Sequence, residues 1–257
     1  LRTSYWIPTA SSPQYRDLGE ESKSWSRAKY LERDGLDVYN FLWNELCNYR
    51  EYRADGCIYE VGGVFVSPGD IVVDAGANIG IWSNVAMFKG AKQVYAFEPT
   101  LKSFNCLCEN TDQWLFHPSH YYPQVIKPFC LALGDKKQVI EMPVWESGDS
   151  VGSRIDGSIT STQYNTVMVT TLDDLFDIGL FDHIDYLKLD VEGAEDQVLY
   201  SLSRERLGMI NKISMEYHPN ALSDSEDVIK YLMSNKFRHI FTLHMGEECK
   251  IITFSKL

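Results

Sequence analysis

From residue 71 onward, short apolar runs alternate with stretches in which apolar positions recur at helical spacing. Ile71-Val72-Val73 is an unbroken apolar run, as expected of a strand buried on both faces. Ile79, Trp82, Val85 and Ala86 then fall on one helical face, which predicts a helix from Ile79 to Lys89. The pattern continues with a strand at Gln93 to Phe97, a helix at Leu101 to about Trp114, and a third strand at Phe129 to Leu133. An edge strand is predicted at Gln138 to Trp145, a strand at Val167 to Thr171 and a short helix at Leu172 to Phe176. A strand at Ile184 to Asp190, a helix at Ala194 to Arg204, a strand at Lys212 to Tyr217 and a helix at Ser225 to Ser234 follow. Phe237 to Leu243 and Cys249 to Phe254 read as an antiparallel hairpin turning at Met245-Gly246. Strands alternating with helices imply βαβ units and a mostly parallel sheet.

Two regions depart from this alternation. Residues 1–56 are rich in aromatics, among them Tyr5, Trp6, Trp25, Phe41 and Trp43, and carry mixed charge. Val38, Phe41, Leu42, Glu45 and Leu46 fit a helical stripe with one polar interruption, so this segment is expected to be an N-terminal helical cap on a domain of residues 57–257. Cys57 to Ser67 reads as a short hairpin with Gly62-Gly63 at its turn, closed by Ser67-Pro68-Gly69-Asp70. Glu146 to Thr166 is dense in Ser, Thr, Gly and Asp and is the best candidate for a mobile loop or lid.

Composition narrows the function classes. The chain of 257 residues is 44% hydrophobic and 23% charged, ordinary values for a globular protein. Its net charge is −12, and no Lys/Arg-rich stretch interrupts the acidic balance, which argues against a nucleic-acid partner. No apolar run approaches the ~18 residues of a membrane helix, so no membrane partner is expected. The six cysteines form no C-x-x-C pair and no disulfide framework; they are expected to be buried apolar residues of a protein in a reducing, cytoplasmic compartment. The sequence starts at Leu1, without the apolar segment of a signal peptide, as a piece of a longer product would. Its oligomeric state is not legible.

The chemistry begins at Asp74-Ala75-Gly76-Ala77-Asn78-Ile79-Gly80, which joins the first core strand to the first helix. Ligands of open α/β sheets bind at such carboxyl ends of strands. Glu98 ends the next strand, about 20 residues past Gly76, the offset of a carboxylate that holds ribose hydroxyls. Two cofactors fit that geometry: a dinucleotide such as NAD, or S-adenosylmethionine. The dinucleotide pattern G-x-G-x-x-G is not met, because Asn78 replaces its second glycine. Asp74 at the mouth of the loop would repel a pyrophosphate and suit an ammonium or sulfonium.

The segments VVDAGANIG, FEPT, LALGD, TTLDDL and LKLDVEGAE occur in that order between Val72 and Glu195. Together they resemble the FkbM-type methyltransferases, a branch of the S-adenosylmethionine-dependent Rossmann-like enzymes. The resemblance spans roughly Tyr59 to Phe254. It implies a class I methyltransferase fold, a seven-stranded, mostly parallel sheet ending in an antiparallel hairpin, and O-methylation of a hydroxyl on a small molecule or saccharide. Carried onto this chain, it implies that Asp74, Gly76, Asn78 and Gly80 cradle the amino-acid end of the cofactor and that Glu98 binds its ribose. Leu131 and Ala132 would lie near the adenine, and Asp190 near the transferred methyl. The rival readings are an NAD-dependent oxidoreductase and a non-catalytic protein of the same fold that only binds S-adenosylmethionine.

The remaining candidates come from the residues themselves. Lys188 and Asp190 are two apart on a strand and share a face, so an ion pair is expected. Glu192 and Glu195 open a helix; charge at the positive end of the dipole accounts for Glu195, while Glu192 beside the strand tip is a site candidate. His218 ends the next core strand and is expected to face Asp190 and to act as the general base, a role imidazole suits near neutral pH. His117, His120, His183, His239 and His244 are scattered and read as structural or exposed. Asp190, Glu216 and His218 offer a donor set that could also hold a metal, but none is assigned. Trp82 reads as core, and Trp145 as a candidate wall of the acceptor pocket.

Overall fold

The computed structural model describes residues 57–115, 125–143, 164–219, 224–245 and 249–257; those from Tyr59 onward belong to one compact unit, Tyr59–Leu257. The expected N-terminal cap, the turn at Gly246, His117, His120, Trp145 and the greater part of the expected lid lie outside the described residues.

A 3-10 segment, Ile58–Gly63, leads into β1 (Ile71–Ala75), α1 (Ile81–Phe88), β2 (Gln93–Phe97), α2 (Leu101–Leu115) and β3 (Val125–Phe129). There follow β4 (Ala132–Leu133), β5 (Gln138–Pro143), β6 (Tyr164–Thr170), α3 (Leu172–Asp177), β7 (Ile184–Leu189) and α4 (Glu195–Ser201). The described chain ends with α5 (Arg204–Leu207), β8 (Ile210–Tyr217), α6 (Ser225–Ser234), β9 (Phe237–Met245) and β10 (Cys249–Lys256).

The main sheet has seven strands in the order β3-β2-β1-β7-β8-β10-β9. β1 pairs in parallel with both β2 and β7, and the chain reverses its direction of winding between them. That reversal opens a crevice at the carboxyl ends of β1 and β7, where open α/β sheets bind their ligands. β10 inserts antiparallel between β8 and β9. Burial on both faces explains why Val72, Val73, Leu187 and Leu189 are all apolar and inaccessible. Pro128 lies in β3, at the sheet's edge, where the missing N–H costs no ladder bond on the open side. Leu172, Leu175 and Phe176 of α3, Val198 and Leu199 of α4, and Val228 and Leu232 of α6 join the sheet in one core cluster. Side-chain caps fix the helix starts: Thr171 Oγ1 accepts from Asp174 N, and Asp224 Oδ1 accepts from Glu226 N and Asp227 N.

The seven-stranded sheet and its antiparallel hairpin agree with the fold expected from the sequence. Four local expectations do not. Cys57 to Ser67 forms no hairpin; Gly62 takes φ +72° inside an irregular 3-10 segment. The expected third strand divides into β3 of the main sheet and β4, which pairs with β6 in a separate three-stranded sheet of order β4-β6-β5. Residues 164–166, expected in the lid, belong to β6. The helix expected from Ala194 to Arg204 breaks at Leu202, whose ψ of 132° is extended, and Ser203 caps a second short helix. Among the described cysteines only Cys57 is buried; Cys106, Cys108, Cys130 and Cys249 are half-buried, and none of the five is in a disulfide.

Candidate active site

Four strand tips converge at the crevice. Gly76 leaves β1 with φ +76°, and a Cβ there would stand 1.7 Å from the backbone oxygen of Asp190. Any side chain would therefore force the tips of β1 and β7 apart. The loop is tied to β2 as well: Gly76 N and Ala77 N both donate to Phe97 O, at 3.0 and 2.9 Å. Gly80 serves packing instead. Its missing Cβ would meet Leu107 Cδ1 at 2.5 Å, so it seats α1 against α2, and it does not line the cleft.

A cleft open to solvent lies at these strand tips. Of the residues singled out in the sequence, Gly76, Asn78, Glu98, Leu131, Ala132, Asp190 and Glu192 line it. Thr100 and Val191, which lie within the FEPT and LKLDVEGAE segments without an assigned role, and Met142, which carries no sequence signal, also line it. Glu98 Oε2 accepts from Asn78 N at 2.9 Å and Oε1 from Thr100 N at 2.8 Å. Burial pushes the Glu98 carboxyl up to about 7, against the lowering effect of the bonds from Thr100 and Asn78. Asn78, at φ 50°, has a buried side-chain oxygen with no hydrogen-bond partner.

Asp74 is not at the mouth of the loop. It is wholly buried, accepts from Ser83 Oγ at 2.6 Å, and has Lys188 Nζ 3.2 Å from its other oxygen. The β1–β7 register explains this: Asp74 stands directly beside Lys188 across the ladder, so the two side chains share a face. Lys188 is the hub beneath the site. Its ammonium donates to Gly76 O at 2.8 Å, lies 3.2 Å from Asp190 Oδ2, and sits 4.9 Å from the Tyr59 ring centroid. Burial opposes that charge, but Asp74 and Asp190 outweigh it and hold the ammonium protonated well above its ordinary range.

Tyr59 carries no signal in the sequence, yet it stands at the centre of the site. Its hydroxyl lies 2.8 Å from both Asp190 Oδ2 and Glu216 Oε2. One O–H proton serves one acceptor at a time, so the phenol links two carboxylates that would otherwise repel each other. Burial and both carboxylates raise its pKa well above the usual value. Tyr186 OH donates to the Tyr59 carbonyl, and Trp82 packs edge-on to the Tyr59 ring at 6.2 Å, within the core as expected.

His218 does face Asp190 and Glu192, and one donor atom from each of the three lies within 4.8 Å of the others. Its Nδ1 is 3.2 Å from Glu195 Oε1, while Nε2 is 3.5 Å from Glu192 Oε2 and 3.7 Å from Glu216 Oε1. Burial opposes protonation, yet the bond to Glu195 and the charges of Glu195, Asp190 and Glu192 raise the imidazole to about 10. An imidazole so held already carries its proton at neutral pH, which corrects its reading as a general base. Glu195 is likewise more than a dipole partner. Fully buried, its Oε1 accepts from Val191 N and Gly193 N at 3.1 Å each, and Oε2 faces His218 N at 3.4 Å.

The seven-stranded order and the crevice at the β1/β7 reversal define the class I methyltransferase fold. A sequence profile described as the Methyltransferase FkbM domain matches residues 74–241, and the chain belongs to that family of methyltransferases. Two relatives bear names of that activity. The Methyltransferase sdnD of Sordaria araneosa is 26% identical over 72% of this chain and 80% of its own length. The Hexuronic acid methyltransferase AglP of Haloferax volcanii is 28% identical over 75% of this chain and 73% of its own. The crystal structure of Methyltransferase FkbM from Methylobacillus flagellatus KT shares the fold, with a TM-score of 0.53 and 17% identity over 84% of this chain and 52% of that one. Among the described residues, no helix is long and apolar enough to cross a membrane.

Proposed function

We propose that the protein transfers the methyl group of S-adenosylmethionine to the hydroxyl oxygen of a small molecule or saccharide. The observation that carries this reading is the donor-poor, acceptor-rich lining of the cleft. Glu98, Asp190 and Glu192 supply carboxylates, Asn78 an unbonded carbonyl oxygen, and none of the described lining residues is Lys or Arg. Such a lining fits a diol, an ammonium and a sulfonium; it opposes the pyrophosphate of a dinucleotide.

Within that reading, Glu98 accepts from the ribose hydroxyls and Asn78 Oδ1 takes a proton of the ammonium. Leu131, Ala132 and Met142 face the adenine. S-adenosylmethionine, when bound, supplies an electrophilic methyl on a positively charged sulfur. Asp190 and Glu192 stand at the opposite end of the cleft and hold the acceptor hydroxyl, and one of them takes its proton. Positioning of this kind supplies about 7–11 kcal/mol in well-oriented reactions. A saccharide acceptor is supported by the name of the Haloferax volcanii relative, and a nucleic-acid acceptor is opposed by the net charge of −12.

Titration calorimetry with S-adenosylhomocysteine and NAD+ tests the cofactor. Micromolar binding of the former and none of the latter is expected, and the reverse would overturn the reading. Incubation with labelled S-adenosylmethionine and a panel of sugars, sugar acids and alcohols, read by mass spectrometry, then tests the acceptor class.

A further inference from the structure

We propose that Asp190, Glu192 and His218 form a site for one divalent cation of the kind that accepts an imidazole nitrogen beside carboxylate oxygens, such as Mn2+ or Zn2+. Their three donor atoms all lie within 4.8 Å of one another. Ligands about 2.0–2.2 Å from a common ion stand up to about 4.4 Å apart, so sub-ångström side-chain shifts would close this set on a metal.

The orientation of His218 is the second observation. The residue is more than nine-tenths buried, and its Nδ1 is held by Glu195, itself locked by two backbone N–H groups. Nε2 is thereby aimed forward into a gap between oxygens, 3.5 Å from Glu192 and 3.7 Å from Glu216, both longer than an ordinary hydrogen bond. A buried carboxylate that fixes the far nitrogen of an imidazole is the arrangement that orients histidine ligands of metals. Charge points the same way. Asp190, Glu192, Glu195 and Glu216 converge there, and a divalent ion would take the place of the proton on His218 Nε2 and keep positive charge among these carboxylates. The mixed N/O donor set favours Mn2+ or Zn2+ over Mg2+ and Ca2+, which prefer oxygen throughout.

Asp190 and Glu192 also line the cleft, so an ion held by them would face the acceptor. The role that follows rests on the methyltransferase reading: the ion chelates two adjacent oxygens of the acceptor, as a diol or hydroxy acid presents them. It changes one step of the proposed reaction. The oxygen–carbon bond forms as the sulfur–carbon bond breaks, the bonding pair stays on sulfur, and the hydroxyl proton leaves to water rather than to a liganded carboxylate.

Mn2+ alone is the probe. The full chain is stripped with chelator, dialysed and titrated with Mn2+, with the free-ion electron paramagnetic resonance signal as readout and no cofactor present. One saturable site per chain is expected, displaced by Zn2+ but not by equal Mg2+. Glu192→Gln, on the half-exposed wall of the cleft, and His218→Gln should each weaken it tenfold or more, with circular dichroism confirming the fold. No saturable site, or undiminished binding in a folded Glu192→Gln, would overturn the proposal. S-adenosylhomocysteine binding, measured on the same stripped protein, separates the two readings. If it binds where Mn2+ does not, the ion site is wrong; if Mn2+ alone binds, the ion site stands and the cofactor assignment falls.

Discussion

The two ends of the cleft solve the burial of charge in opposite ways. At the β2 tip, Glu98 is held by the N–H groups of Asn78 and Thr100, and burial wins: its carboxyl rises to about 7. At the β7 and β8 tips, His218 is also buried, though less deeply, and its partners win: the imidazole rises to about 10. The difference lies in what surrounds each group. Dipoles soften the cost of a buried charge, whereas full charges outweigh it. The first end is thus poised to change its ionisation when a ligand brings donors. The second is a fixed array of charges in which each member depends on the rest.

Breaking that array should have the largest effect. Glu195→Ala leaves the His218 imidazolium and the Val191 and Gly193 N–H groups without their acceptor, and is expected to cost about 3–5 kcal/mol of stability in urea denaturation. A cost below about 1 kcal/mol would show that water replaces the carboxylate there. At the other end the loss should fall on binding. Glu98→Ala should weaken S-adenosylhomocysteine by about 1.5–3 kcal/mol in calorimetry, because hydroxyl donors lose a charged acceptor. Unchanged affinity would remove Glu98 from the ribose assignment.

A pH series sharpens the contrast. The folded pKa of Glu98, about 7, lies above its ordinary 4.5, so the ionised form that accepts ribose hydroxyls becomes populated only as pH rises through 7. Affinity for S-adenosylhomocysteine should therefore rise about tenfold between pH 6 and pH 8 and be flat in Glu98→Gln. The same shift carries the opposite sign for the free protein: this group's stabilising contribution is present below about pH 4.5 and is lost as pH rises through 7. Smallest of all is a control distant from both ends. Thr171→Ala, which removes the cap of α3, should cost about 1 kcal/mol and leave cofactor affinity untouched.

How much of this was legible depended on the range of each interaction. Glu98 could be read because loop, strand and carboxylate lie within one βαβ unit, and Lys188–Asp190 because two positions on one strand share a face. Asp74 was misplaced because its surroundings depend on register: only the pairing of β1 with β7 shows that it stands beside Lys188. Tyr59 left no trace, since its partners Asp190 and Glu216 are 131 and 157 residues away and its own segment looks like a hairpin. Glu195 was hidden by a sufficient local explanation. A carboxylate in a first helical turn is favourable anyway, and nothing in the sequence shows that it reaches back to the tip of β8. The division of Phe129 to Leu133 between two sheets was equally invisible, because both pieces are short and apolar.

The position of Lys188 has one more consequence. A single ammonium touches Asp74 under the glycine loop, the carbonyl of Gly76 and the carboxylate of Asp190. An acceptor or ion that draws Asp190 toward itself draws on the charge that steadies the loop on the other side. Any coupling free energy carried this way is reciprocal, so whatever factor the cofactor imposes on acceptor affinity, the acceptor imposes on the cofactor. Replacing Lys188 with methionine would uncouple the two halves of the cleft as well as weaken each, and a thermodynamic cycle over the two ligands would measure by how much.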